Sequence, residues 1–160
     1  MDGPVVIGFD GSEHAERAVR RAGALLASRS ALIVTIWEPA LASLPITGEG
    51  VVGIDMPLDP QSAELLDEVS TERSAQVAAR GVAIAQEVGF VAEAVTMPDE
   101  LNVAEILADV ARERGACAIV VGSRGHGALR TRVLGSTSTK LLTHAHCAVV
   151  VIPAAVDDQP

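Results

Sequence analysis

The sequence is poor in aromatic residues, and this shortage limits how its core can be built. Aromatic residues make up 2% of the 160 residues, whereas hydrophobic residues make up 49%. The core must therefore consist of Ala, Val, Leu and Ile, a composition typical of helices packed on a buried parallel sheet. A chain of this length buries roughly 70% of the surface that its unfolded form exposes, which suits one domain. We expect a single domain over residues 1–155 and a frayed tail at 156–160.

Cysteine is also scarce. The two cysteines, Cys117 and Cys147, lie in the apolar runs ACAIVVG and HCAVVVI. Two thiols in a domain of this size do not make a disulfide framework. The sequence predicts two buried thiols in a reducing compartment.

The sequence also has few positively charged residues and no long apolar runs. The formal net charge is -9, which argues against nucleic-acid binding because the phosphate backbone must be neutralised by Lys and Arg. No apolar run approaches the ~20 residues that span a bilayer. The first residues, MDGPVVIGFD, lack the charged segment and long apolar core of a signal peptide. These absences predict a cytoplasmic protein with neither a nucleic-acid nor a membrane partner.

Five short apolar runs predict buried strands, because most are β-branched and end at Gly, Pro or a polar residue. They cover residues 4–9, 31–37, 91–97, 117–122 and 148–153. Between them, apolar residues recur at helical spacing, and the alternation of strand and helix predicts an α/β fold with a parallel sheet and helices on both faces.

Four helices are expected between these strands. The first has Ser12 as its N-cap, and the third, over about 100–114, has Asn102 and Glu105 spaced as a capping box. The second runs from about 62 to 88, and the fourth begins near Gly135 and Ser136. In the second helix one side is expected to face inward, namely Leu66, Val69, Val77, Ile84 and Val88.

A Pro- and Gly-rich segment over residues 39–61 interrupts this regular pattern. A connection of this length is unusual in a compact domain. It follows the carboxyl end of the second strand, where ligands bind. The segment is either a solvated, variable loop or a lid or partner contact.

The stretch VVGSRGHGALRTRVLGSTSTK, residues 120–140, carries the chemistry. It holds four glycines and four fixed positive charges, and it has no carboxylate although the chain is acidic. It leaves the end of the fourth strand and leads into a helix N-terminus, whose unpaired N–H groups and partial positive charge favour an anion. Glycine lets the backbone approach the anion closely. The stretch predicts a phosphate cradle; the alternative is a glycine-rich connector with solvated arginines.

The spacing of the glycines separates this cradle from two familiar phosphate-binding loops. GxxxxGK[ST] is absent because Lys140 lies five residues beyond Gly135, and GxGxxG is absent because the order is Gly122-x-x-Gly125-x-Gly127. The glycine spacing of this segment is G-x2-G-x9-G-S.

This spacing resembles the ATP-binding motif of the universal stress protein family. VIGFDGSEHA resembles that family's first strand and turn, IVVGSRGHG its fourth strand and loop, and HAHCAVVVIP its closing strand, with Ala148 where the family usually has Pro. The resemblance implies a three-layer, Rossmann-like α/β fold of the adenine nucleotide alpha hydrolase-like class. Its five-stranded parallel sheet would have the order 3-2-1-4-5, with four helices. It also implies a homodimer that pairs the last strands.

The resemblance assigns roles in the phosphate cradle. Arg124 and His126, between the glycines, would reach the phosphates or the ribose. Thr137, where the family often has Val, and Ser138 would complete the helix turn. The groups that hold the phosphates would be Gly122, Gly125, Gly135 and Ser136.

The resemblance also assigns roles around the nucleoside. Asp10, flanked by Phe9 and Gly11, would contact the ribose or a bound Mg²⁺. Ile36 would meet the adenine face, and Val121 would line the floor. From the residues alone other roles stay open, because Asp10 in FDGS could form an Asx-turn and His126 could be solvated.

Three functions fit this reading. The protein could be an ATP-binding sensor or regulator of a stress response whose protein partner is unknown. It could be a slow ATPase or phosphotransferase, although His126 is the one candidate for orienting a nucleophile. It could also be a dimeric scaffold without nucleotide. The intact glycine pattern favours binding with slow or no turnover, and another adenine ligand such as cyclic AMP stays open.

Overall fold

The computed structural model of the chain describes residues 3–26, 30–39, 46–47, 50–51, 60–99, 102–123 and 135–153. Helices and strands alternate through these ranges. In chain order they are β1 (Val5–Gly8), α1 (Glu13–Leu26), β2 (Ser30–Trp37), β3 (Ile46–Thr47), β4 (Gly50–Val51), α2 (Pro60–Glu87), β5 (Val91–Pro98), α3 (Val103–Glu113), β6 (Ala118–Gly122), α4 (Ser136–His144) and β7 (Ala148–Ile152).

Five of the strands form one parallel sheet in the order β5-β2-β1-β6-β7. Counted among themselves, these strands have the order 3-2-1-4-5, so the predicted α/β fold is confirmed. β3 and β4 form a separate antiparallel ladder of two residues each, in which Ile46 pairs with Val51. The sequence predicted no regular structure in this part of the 39–61 segment. Three of its four residues, Ile46, Thr47 and Val51, are β-branched, a type enriched in strands.

The sheet separates two apolar cores because side chains alternate along each strand. On one face, Val5 and Ile7 of β1 pack with α1 and α2 around Ala18 and Val19. On the other face, Val6 packs with residues of α3 and α4. The three predicted layers are therefore present, and they are built from small aliphatic side chains.

The helix ends follow the predicted signals. The Ala15 amide donates to Ser12 Oγ at 3.2 Å, and the Glu105 amide donates to Asn102 Oδ1 at 3.1 Å. Gly89 and Gly115 close α2 and α3 with φ of 95° and 59°, backbone conformations that favour glycine.

The prediction that Leu66 and Val69, in the first turns of α2, face inward is wrong. Leu66 is 47% exposed and Val69 is 62% exposed, whereas Val77 and Ile84 pack on the core as expected. A helix of 28 residues is about 42 Å long, and a strand of 8 residues spans only about 26 Å. The start of α2 therefore extends beyond the sheet that would cover its apolar side.

The two thiols also differ from the prediction, because each is half-buried rather than buried. They precede neighbouring strands of the sheet, since Ala118 of β6 pairs with Ala148 of β7. Neither cysteine forms a disulfide. Burial, with a smaller contribution from Cys117, raises the pKa of the Cys147 thiol. In the described ranges no helix has the length and apolar character needed to cross a bilayer.

Candidate functional site

The predicted site residues gather where the parallel strands end. Parallel strands have their carboxyl ends at one edge of the sheet. The chain adds β2 and β5 on one side of β1 and then crosses to add β6 and β7 on the other side. In such sheets a crevice for ligands opens at the point where the strand order reverses. Asp10 follows β1 and Gly122 ends β6, so they lie on the two sides of this crevice.

The turn after β1 fixes Asp10. The Ser12 amide donates to Asp10 Oδ1 at 3.0 Å, and Gly11 has φ of 80°. The Asx-turn that the sequence left open as an alternative is therefore present. Asp10 is exposed at the rim. Each carboxylate oxygen can accept more than one hydrogen bond, so the turn is compatible with a ligand contact.

Phe9 holds this turn on the sheet. Its amide donates to the Val34 carbonyl at 2.9 Å, and its side chain, 2% exposed, packs in the core on the α1/α2 face. Thr35, which the sequence analysis did not single out, donates its hydroxyl to the Phe9 carbonyl at 2.9 Å and is buried. The sequence feature that could have identified Thr35 is that it is the one hydroxyl residue in the apolar run ALIVTIW. Together these contacts set the position of Asp10.

The start of α4 is fastened to the end of β6. Gly135, the N-cap, donates its amide to the Ser123 carbonyl at 3.0 Å. Ser138 donates its hydroxyl to the Gly122 carbonyl at 3.2 Å. A Cβ on Gly135 would lie 3.3 Å from the Ser123 carbonyl oxygen, so the two segments approach each other more closely than most side chains allow. The helix N-terminus is thereby held beside the crevice.

The first turn of α4 provides a place for an anion. Gly135 has no side chain to cap the first amides of the helix, and these amides carry the positive end of the helix dipole. Ser136 is exposed and Thr137 half-buried at this end, whereas Ser138 is 2% exposed. The hydroxyl of Ser138 is engaged with Gly122 and therefore positions the helix.

Apolar residues line the same face of the sheet. Ile36 and Val121 belong to the α3/α4 core, and Val121 is 5% exposed. They lie on the face where α4 begins. Arg124, Gly125 and His126 lie outside the described residues. The predicted residues that the structure brings to this edge are Phe9, Asp10, Gly11, Ile36, Val121, Gly122, Gly135, Ser136, Thr137 and Ser138.

A further acidic residue, Asp99, stands at this edge and was not anticipated. It follows β5, and its amide donates to the Trp37 carbonyl at 2.8 Å. Its Oδ1 is closed to solvent and accepts no hydrogen bond within the described ranges. Nothing in the local sequence MPDE distinguishes this carboxylate from a solvated one.

The described ranges contain no group of three or more His, Cys, Asp or Glu residues that could hold a metal ion. Mg²⁺ commonly takes one or two carboxylates, with phosphate oxygens and water as its other ligands. A magnesium ion at this edge would therefore depend on Asp10 and on the phosphates of a ligand.

The family model described as "Universal stress protein family" matches residues 1–153. The chain belongs to the universal stress protein family. The resemblance that the glycine spacing suggested is thus confirmed, over nearly the whole chain. A universal stress protein of Mycolicibacterium smegmatis is 30% identical in an alignment of 161 residues that covers 97% of this chain and 49% of that protein. The chain spans about half the length of this curated relative.

Solved universal stress proteins share the fold. A family member from Burkholderia pseudomallei is 25% identical, with a TM-score of 0.66 over 96% of this chain and 97% of that chain. A family member from Arabidopsis thaliana, solved with AMP bound, is 16% identical, with a TM-score of 0.63 over 99% of this chain and 95% of that chain. Other universal stress proteins of this fold were solved in complex with cAMP and, from Archaeoglobus fulgidus, with dAMP.

Proposed function

We propose that this universal stress protein binds an adenine nucleotide, ATP, at the carboxyl edge between β1 and β6. We further propose that it acts as a nucleotide-dependent regulator in a stress response. One observation carries the proposal: the N-terminus of α4 is held beside the end of β6 by the Gly135–Ser123 and Ser138–Gly122 hydrogen bonds. The complexes of other family members with AMP, cAMP and dAMP support it.

The phosphates would lie at the first turn of α4. The amides of Ser136 and Thr137 would donate to phosphate oxygens, and the glycine backbone at Gly122 and Gly125 would allow close approach. Arg124 and His126 would add charge-assisted hydrogen bonds. A bound Mg²⁺ would neutralise part of the phosphate charge, with Asp10 as its protein ligand.

The nucleoside would lie across the strand ends on the other side of the crevice. Asp10, at the end of β1, would accept a hydrogen bond from a ribose hydroxyl. Ile36 and Val121 would offer an apolar surface to the base. The nucleoside would lie on the face of the sheet on which α4 begins, because the ends of β1, β2 and β6 all border that face.

We propose binding with slow or no turnover rather than an ATPase. Phosphoryl transfer needs a group that orients the attacking nucleophile, and the candidate in the sequence is His126.

The cytoplasmic location also stays a prediction. The dimer would pair the exposed edge strand β7 with its copy, because an unpaired apolar edge is prone to pairing with another strand.

The first test is to identify what the purified protein carries. The protein is denatured, and the released small molecules are separated on a nucleotide-resolving column. We expect ATP in an amount comparable to the protein, or ADP and AMP if it is slowly turned over. A protein that releases no nucleotide and, once stripped, binds none would favour the dimeric scaffold instead.

A further inference from the structure

We propose that the first turns of α2 dock a basic amphipathic helix of another protein. The docking surface has two parts that lie side by side on the helix: an apolar ridge, formed by Leu65, Leu66 and Val69, and an acidic row, formed by Glu64, Glu68 and Glu72. It contains none of the residues assigned to the nucleotide, so the inference goes beyond the proposed function and does not depend on it.

The apolar ridge is a cluster of exposed side chains. Leu65 and Val69 are each 62% exposed, and Leu66 is 47% exposed. Val69 is four residues from Leu65 and three from Leu66, a spacing that makes them neighbours on a helix. The other exposed large apolar residues of the described ranges lie singly on α1, β5 and α4. Single apolar residues on a surface are normal, whereas a contiguous group of them marks an interaction site.

The ridge projects beyond the sheet, where another molecule can reach it. α2 leads from the end of β2 back to the start of β5, so it begins beyond the carboxyl ends of these parallel strands. A Cβ built on Gly11 would lie 3.1 Å from Val77 Cγ1, which places Val77 beside the turn after β1. Leu65 lies about 18 Å farther along the helix axis, towards its start. The fold therefore does not use the ridge for its own core.

The acidic row gives the surface its charge. Glu64, Glu68 and Glu72 are all exposed and follow one another at intervals of four residues. In the described ranges no lysine or arginine forms an ion pair with any of them. Like charges at this spacing repel one another on a helix. A partner with cations beside its apolar side chains would relieve this repulsion.

The combination of ridge and row favours one kind of occupant. Two helices pack when rows of side chains on one fit between those on the other, and lysines or arginines beside the apolar face of the partner would meet the acidic row. A second copy of this chain would bring the same acidic row and a further net charge of -9. An anionic membrane surface attracts basic segments rather than acidic ones. The complementary occupant is a basic amphipathic helix.

The experiment uses a synthetic, fluorescently labelled peptide of about 18 residues, long enough to form a helix, with leucines on one face and lysines on the other. A second peptide carries glutamates in place of the lysines. Fluorescence anisotropy measures the affinity of each peptide for the nucleotide-stripped protein. We expect the wild-type protein to bind the lysine peptide at least about tenfold more tightly than the glutamate peptide.

One pair of variants tests the apolar ridge. Leu65→Ala should weaken binding of the lysine peptide by at least about fivefold, because it removes an apolar contact at the centre of the surface. Leu25→Ala is the matched control, since Leu25 is a leucine of similar exposure, 67%, at the end of α1. We expect Leu25→Ala to bind the peptide as the wild type does. Equal losses in the two variants, or no loss in either, overturn the proposal.

A second pair of variants tests the acidic row. Replacement of all three of its glutamates by glutamine should weaken binding of the lysine peptide by at least about threefold at low salt. The control has the same net charge but makes the changes at exposed glutamates of other elements. These are Glu13, Glu93 and Glu113. A control variant that loses as much affinity shows attraction to the overall charge only, which overturns the proposal.

The remaining outcomes are also decisive. If Leu65→Ala lowers the mass of the protein in light scattering, the ridge contacts a second copy and the proposal fails. If the wild-type protein binds both peptides equally, or neither, it fails as well. Because the peptide titration uses protein without nucleotide, specific peptide binding by a protein that binds no ATP would refute the proposed function and leave this inference standing.

Discussion

Ser138 stabilises the scaffold beside the proposed ligand site, because its hydroxyl is engaged within the protein. The family resemblance assigned Ser138 to the helix turn that completes the phosphate cradle. In the structure the side chain is 2% exposed, and the hydroxyl donates to the Gly122 carbonyl at 3.2 Å. It therefore joins the end of β6 to the first turn of α4, and the amides of that turn keep their position through it.

Replacement of Ser138 by Ala should weaken both the fold and the site. The Gly122 carbonyl would lose its donor inside the protein, which costs about 1–3 kcal/mol of unfolding free energy. The helix start would loosen, so ATP affinity should fall. Urea denaturation and ATP titration measure the two effects. Thr143→Ala is the control, because the Thr143 hydroxyl also donates to a carbonyl of α4, that of Lys140, but on an exposed surface. Equal changes in the two variants would contradict the role of Ser138.

Cys147 gives a prediction that depends on pH. Burial and the neighbouring Cys117 raise its pKa, so the folded protein favours the neutral thiol. The contribution of the neutral Cys147 thiol to stability is present at neutral pH, and it is lost as pH rises through the raised pKa. In Cys117→Ala, which isolates the second thiol, alkylation of Cys147 should have its half-maximal rate at a higher pH than in the peptide HAHCAVVV, because burial is the larger cause. A midpoint at or below that of the peptide would contradict this.

Some residue roles could be predicted from the sequence, and others could not. The glycine spacing and the position of Asp10 are local features, so they indicated the edge of the sheet at which we propose the site. The roles of Thr35 and Asp99 depend on atoms of a neighbouring strand, Phe9 O and Trp37 O. The lone hydroxyl residue in ALIVTIW marks Thr35 as unusual, but no pattern along the chain identifies the partner atom of either residue.

At the scale of elements, α2 packs tightly against the sheet at Gly81. A Cβ built there would lie 2.7 Å from Ile33 Cγ2 and 2.8 Å from Phe9 Cδ1. Phe9 precedes the Asp10 turn, so the packing of this helix bears on the site. Glycine is unfavourable within a helix by about 1 kcal/mol relative to Ala, and the close packing gives the reason for it here.

Gly81→Ala should therefore leave the protein no more stable than the wild type, although Ala is the better helix former. Overpacking of a core typically costs about 1–3 kcal/mol, which outweighs or cancels the gain in helix propensity. Ala79→Gly, on the exposed side of the same helix, measures that propensity alone and should cost about 1 kcal/mol. Thermal or urea denaturation compares the two. A Gly81→Ala variant that is more stable than the wild type by the full propensity difference would contradict the close packing.

The elements themselves were the most predictable level. Strand positions, the caps at Ser12 and Asn102, and the glycine ends of α2 and α3 are local signals, and the structure confirms them. The exposed first turns of α2 were missed because periodicity reports which side is apolar, whereas burial depends on how far the sheet extends. The β3–β4 ladder was missed because two residues carry no periodicity.

At the scale of the whole molecule, the sheet has two edge strands, β5 and β7. Both begin with an exposed residue, Val91 and Ala148. The proposed dimer uses β7. A lysine on an edge strand opposes pairing with another strand, so the two edges can be tested separately.

Ala148→Lys should shift the protein towards the monomer, and Val91→Lys should leave the dimer intact. Light scattering during size-exclusion chromatography, at several protein concentrations, measures the mass. Circular dichroism checks that both variants are folded. A wild-type protein that is monomeric at all concentrations would contradict the dimer, as would a dimer that only Val91→Lys disrupts.

The central claim is that the start of α4 holds the phosphates of ATP. Calorimetric titration of the stripped protein with ATP tests it most directly, in the wild type, in Gly135→Val and in Gly115→Val. Gly115 closes α3 and has no atom within 4 Å of a built Cβ, but its φ of 59° strains a valine, whereas Gly135 has φ of -61°. Gly115→Val is therefore a control for destabilisation of the fold away from the proposed site. We predict that ATP binds the wild type and Gly115→Val with similar affinity, and that Gly135→Val loses at least about tenfold, the equivalent of 1.4 kcal/mol. Unchanged ATP affinity in a folded Gly135→Val protein would contradict the account.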